Sequence, residues 1–130
     1  MIKTKSVHSP VDTTGDGLRI LATRLRGRGL PSSRYDVWMA NLGPSQELLT
    51  AFQQGSISWV QFGRRYRAEL FEASAIDQRN PLIKNHGQKF TLRLIQRIAK
   101  DHDVTLLCHC AETEHHCHRH LLRSWLSAKI

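Results

Sequence analysis

The chain is short of cysteine, proline and long apolar runs, and each shortage removes a class of protein. Its three cysteines all lie between positions 108 and 117 of 130 residues. A disulfide-stapled scaffold would spread them, so thiols clustered this way read as reduced side chains or as ligands. Four prolines and eight glycines leave no room for a collagen-like repeat. No apolar run approaches the roughly 18 residues that a membrane-crossing helix needs. Met1-Ile2-Lys3-Thr4-Lys5-Ser6 lacks the apolar stretch of a secretory leader. A cytoplasmic protein without a membrane contact is the expectation. Acidic residues are also scarce: 11 Asp and Glu against 19 Lys and Arg give a net charge of +8 and a pI near 10.0.

What is present suits one globular domain of ordinary size, with 40% apolar and 23% charged residues. Thirteen of the 19 bases are arginine. Arginine makes bidentate forks to phosphate and carboxylate that lysine cannot copy, so the expected partner is an anionic small molecule or a nucleic acid.

Periodicity supplies the elements. Ile2 to Val7 alternates weakly, as an edge strand does, and Thr13-Thr14-Gly15-Asp16-Gly17 is a loop. Leu18 to Leu25 is expected as a strand, bounded by glycines, and Tyr35 to Leu42 is a short apolar stretch ended by Gly43-Pro44. Ser45 is a helix cap for a short helix toward Phe52. A longer helix spans Ser58 to Phe71, burying Trp59, Phe62, Tyr66 and Leu70, with Arg65 placed to pair with Glu69. Gln88 to Lys100 repeats the pattern through Phe90, Leu94, Ile95 and Ile98. The apolar strand Val104 to Cys108, a polar loop and a last helix from Cys117 complete the chain. This rhythm predicts an α/β fold: a single domain, residues 1–130, with a small, mainly parallel sheet flanked by helices.

The segment from Leu106 to His120 carries the chemistry. It lies beyond the carboxyl end of a strand and at the start of the next helix, where open α/β sheets place ligands and where helix amides favour an anion. Three readings stand side by side. Cys108 and Cys117 are small buried residues under solvated histidines. Alternatively, the helix start binds a phosphate-like group held by Arg119, with Cys117 or Cys108 as nucleophile and His118 as proton shuttle. In the third, Cys108, Cys110, Cys117 and one of His109, His115, His116 or His118 hold zinc in a Cys3His set, although Cys108-His109-Cys110 has only one intervening residue where zinc pairs usually have two to four. Arg119 comes nine positions after Cys110 and two after Cys117, so neither pair has the Cys-x5-Arg spacing of a phosphatase cradle.

A second candidate region is basic. Arg19, Arg24, Arg26, Arg28 and Arg34 fall in a stretch with no acid between Asp16 and Asp36, and Gly27 and Gly29 allow close backbone approach. If the strand at Leu18 runs parallel to Val104 to Cys108, the Arg26 to Arg28 loop and the cysteine segment share one rim of the sheet. Arg24, Arg26, Arg28 and Arg119 are then the expected ligand-binding residues. A solvated basic turn, or a nucleic-acid-binding surface without catalysis, are the alternatives.

Four blocks, in order, also carry a resemblance: Asp16-Gly17-Leu18-Arg19-Ile20-Leu21 with Arg24-Leu25 and Arg28-Gly29-Leu30; Trp38 to Leu48; Phe62-x-x-Arg65-Tyr66-x-x-Glu69-Leu70; and Leu107-Cys108 with Cys117-His118-Arg119. Together they resemble the YeaO-like branch of the DUF488 family. That resemblance implies a compact α/β domain of bacterial or archaeal cytoplasm and brings no established catalytic residue. Arg26-Gly27, where relatives commonly have a Trp-Pro pair, and Cys110 with its flanking histidines depart from the pattern.

Overall fold

A computed structural model describes residues 1–75 and 78–130. The apolar run Val104-Thr105-Leu106-Leu107-Cys108 forms β6, and every residue of it is buried. A strand sealed on both faces belongs inside a sheet, and β6 lies between β1 (Ile2–Ser6) and β2 (Leu18–Leu21), with β3 (Val37–Trp38) beyond β2. The order is β1-β6-β2-β3 and all three pairings are parallel. β1 takes the edge position expected of it. A separate antiparallel pair joins β4 (Ser74–Ala75) to β5 (Lys84–Asn85).

Strand alternation divides the core. Ile20, Val104 and Leu106 point to one face, where they meet Leu48 of α1 (Gln46–Gln53), Phe62, Tyr66 and Leu70 of α2 (Trp59–Phe71), Leu92 and Ile95 of α3 (Lys89–Ile98), and Leu122 and Leu126 of α4 (His118–Leu126). Leu21 and Leu107 point to the other face, where Val7, Leu30 and Tyr35 cover them. Ser45 caps α1 through Leu48 N, and Ser58 caps α2 in a reciprocal box with Gln61.

Three local expectations are corrected. β2 stops at Leu21, four residues early. Ala22 still donates to Leu107 O, but the Thr23 hydroxyl then turns to Leu25 O and the Trp38 indole donates to Thr23 O, which draws the chain off the sheet. On α3 the buried residues are Leu92 and Ile95, whereas Phe90 and Leu94 are 57% and 58% exposed. The helix carries apolar residues on two sides, and the core takes the Leu92 side, while Phe90 lies under the Arg93 guanidinium and against His86. Glu69 turns to Ser45, accepting from its backbone N–H and its hydroxyl, rather than to Arg65. Among the described residues, no helix is long and apolar enough to cross a membrane.

Candidate functional site

β6 delivers Cys108 to the carboxyl edge of the sheet, and Cys117, nine residues later, caps the start of α4 at His118. Cys117 occupies the cap position with extended dihedrals but makes no side-chain cap hydrogen bond. Its thiol turns inward, and its Sγ lies 2.8 Å from Cys108 Sγ. The chain bends after Cys108 and brings the Cys110 sulfur back as well, so that all three Sγ atoms lie within 4.8 Å of one another. Cys108 and Cys117 are sealed, at 0% and 2% exposure, and Cys110 is half-buried. His118 is not part of this group. Its Nε2 donates to Ala22 O at 2.5 Å, which leaves Nδ1 as the acceptor.

Arg119 lies beneath the cluster and is the largest fully buried side chain among the described residues. Its NH1 donates to Cys108 Sγ at 2.8 Å and to Cys110 O at 3.3 Å. Its NH2 donates to Ala111 O at 2.9 Å and Glu112 O at 3.2 Å, and its Nε has no partner. The guanidinium thus braces the loop from inside. Glu112 ties the loop to the end of β1, accepting from Ser6 N and Ser9 Oγ. His116 stacks on Trp59 with ring centroids 4.7 Å apart. Nothing in the sequence reading singled out Glu112 or the His116–Trp59 stack, because both contacts join distant segments without a periodic signal.

The three thiols titrate as a unit. Cys110 is pushed down to about 2 by the hydrogen bonds that Cys108 and then Cys117 donate to its thiolate, helped by His118 and Arg119. With that charge in place, Cys108 rises to about 11 because its own proton is held by Cys110, and Cys117 rises further for the same reason toward Cys108 and Cys110. The cluster therefore gives up one proton easily and holds the others. Burial keeps His118 neutral by lowering its pKa.

The basic loop and the cysteine segment do share one rim. His109 Nε2 lies 3.2 Å from Leu25 O, and Gly27 comes so close that a Cβ there would sit 2.6 Å from His109 Cε1. Gly27 also has φ +94°, a conformation that favours glycine. Between the loops and α1 opens a cavity of about 380 Å³, lined by Thr23, Arg24, Leu49, His109, Cys110 and His118 among others. Cys108 and Cys117 are not among its lining residues. The arginines expected to bind ligand are mostly engaged with the protein itself. Arg24 donates to Gly43 O, Pro44 O and Asn41, and Arg26 to the Tyr35 hydroxyl and Leu30 O. Arg119 is enclosed as described, and Arg28 is the exposed one of the four.

Comparison with known proteins bears on this arrangement. The family described as the active DUF488-N3 subclade, DUF488-N3a, matches residues 2–130. The uncharacterized protein YeaO of Escherichia coli (strain K12) is 31% identical over 127 residues, which cover 96% of each chain. No solved structure matches the chain.

Proposed function

The chain belongs to the DUF488 family, on its YeaO-like branch, and from that premise we propose that Cys108, Cys110 and Cys117 form a site for a thiophilic divalent metal ion, zinc first among them. One observation carries the reading: three sulfurs from two elements and the bend between them converge within 4.8 Å. Tetrahedral zinc at about 2.3 Å from each sulfur holds its sulfurs about 3.8 Å apart. The Cys108–Cys117 pair, at 2.8 Å, has to open by about 1 Å. The sulfur pairs that include Cys110 lie within 4.8 Å. The short Cys-x-Cys spacing is no obstacle, because the third ligand comes from the cap of α4 rather than from a second close pair. Three free thiols also suit a reducing, cytoplasmic setting.

Elemental analysis of the purified chain tests the proposal. Near-stoichiometric zinc is expected, lost on Cys117→Ser and Cys110→Ser, with a fall in Tm on chelation because the metal binds the folded state. Wild-type protein that takes up no zinc after incubation with it sinks the reading. A phosphate-bearing ligand at the same rim is the second reading, favoured by the exposed Arg28 on the loop that packs against His109. It calls for a rise in Tm with phosphate or nucleotides, reduced by Arg24→Ala and Arg28→Ala. A nucleic-acid surface would instead bind oligonucleotides with a steep salt dependence.

A further inference from the structure

We infer that the trithiolate site is of the open kind, with an exchangeable fourth position that faces the cavity and takes a small neutral nitrogen or oxygen donor. The inference rests on the metal reading above and adds what occupies the last coordination position. Structural zinc sites are closed by four protein ligands, whereas catalytic ones keep three and leave one position to water or substrate. Among the described residues, the group that converges is Cys108, Cys110 and Cys117 alone, with no histidine or carboxylate in range as a fourth ligand. His118, the natural candidate from sequence, holds Ala22 O through Nε2 and leaves Nδ1 as an acceptor, but neither of its ring nitrogens joins the converging sulfurs, and His109 Nε2 lies against Leu25 O.

The direction of the open side follows from burial. Cys108 and Cys117 are enclosed by the sheet and α4, so an ion among the three sulfurs is walled in on their side. Cys110 is half-buried and lines the cavity of about 380 Å³, together with His109, His118, Arg24 and Thr23. That volume lies at the lower end for small-molecule sites. The cavity is thus the side from which a fourth donor reaches the ion.

Charge selects the donor. Three thiolates around a divalent ion carry one net negative charge, and the Arg119 guanidinium, fully buried and 2.8 Å from Cys108 Sγ, cancels it. Glu112 stands 3.9 Å from Arg119 but its side chain is half in solvent and screened. The cation in the cavity wall, Arg24, already donates to Gly43 O and Pro44 O. An anionic fourth ligand would add a partly buried charge with no free counter-charge, so a neutral donor is preferred.

The experiment loads the full chain with Co(II) in place of zinc and follows its visible spectrum, in which sulfur-to-cobalt charge transfer reports the thiolates and the d–d bands report the coordination shell. Titrating imidazole is expected to shift the d–d bands saturably while the charge-transfer band persists, at lower concentration than azide requires. Gln46→Trp, an exposed position in the cavity wall, is expected to weaken the imidazole response at least tenfold and leave the charge-transfer band in place. Bands that ignore imidazole in the wild type but change on His118→Ala or His109→Ala overturn the inference, since a protein histidine then closes the site. Azide acting at lower concentration than imidazole overturns the preference for a neutral donor. Absence of any sulfur-to-cobalt band refutes the metal reading itself, a separate failure.

Discussion

Replacing Arg119 by methionine removes a buried cation while keeping much of its volume. Four donor contacts go with it: to Cys108 Sγ and to the carbonyls of Cys110, Ala111 and Glu112. Hydrogen bonds from a charged donor contribute about 1.5–3 kcal/mol each, so a simple sum of about 6–12 kcal/mol overstates the loss roughly twofold. Two effects bring it down. Burying the guanidinium itself costs several kcal/mol, which the variant recovers. Ala111 and Glu112 are exposed residues, so their carbonyls can turn to water once released. The contacts to Cys108 and Cys110 lie deeper and find no such substitute. A net loss of about 3–5 kcal/mol is expected, typical of removing one partner of a buried polar cluster. Urea unfolding measures it, and hydrogen exchange should locate the added opening in residues 110–114. Arg119→Lys should fall between the two, because a point charge replaces the planar fork. An Arg119→Met protein within about 0.5 kcal/mol of wild type would refute the reasoning, since surface-like changes stay in that range.

Two further predictions test the fold. Leu92→Ala should cost about 2–5 kcal/mol as a core truncation, whereas Leu94→Ala on the opposite side of α3 should stay within about 0.5 kcal/mol; equal losses in urea melts would show the helix rotated from the face described. Asp36 is held below its ordinary 3.8, first by the side-chain hydrogen bond from Arg19 and then by the Arg19 backbone N–H. Its contribution is therefore present above pH 3.8 and is lost as pH falls through its lower folded value. Asp36→Asn should flatten the acid limb of the stability profile in that window, modestly because the carboxylate is 39% exposed. An unchanged slope below pH 3.8 would show that the Arg19 pair contributes nothing to it.

Local grammar made much of this fold legible. Ser45 and Ser58 announce helix starts because a hydroxyl can satisfy an orphan amide within its own turn, and both caps form. Val104 to Cys108 announces a central strand because an unbroken apolar run can be satisfied only by cover on both faces. The misreadings fall where local signals tie. Phe90 and Leu94 compete with Leu92 and Ile95 for the inward face of α3, and nothing within ten residues breaks the tie. Glu69 has Arg65 one turn away, yet Ser45 is closer once α1 packs on α2.

For the site, the sequence by itself determined its ingredients and its address: three thiols, a histidine and an arginine at the end of a parallel core strand and the start of the helix that follows. Strand polarity and helix direction suffice for that, because they place the segment at the carboxyl rim whatever the side chains do. Only the tertiary structure decided which of these groups meet. The bend after Cys108 joins Cys110 to Cys117, and Arg24 finds Gly43 across 19 residues of chain. A donor's partner is set by distance in space, and chain spacing stops reporting distance once the backbone leaves a regular element.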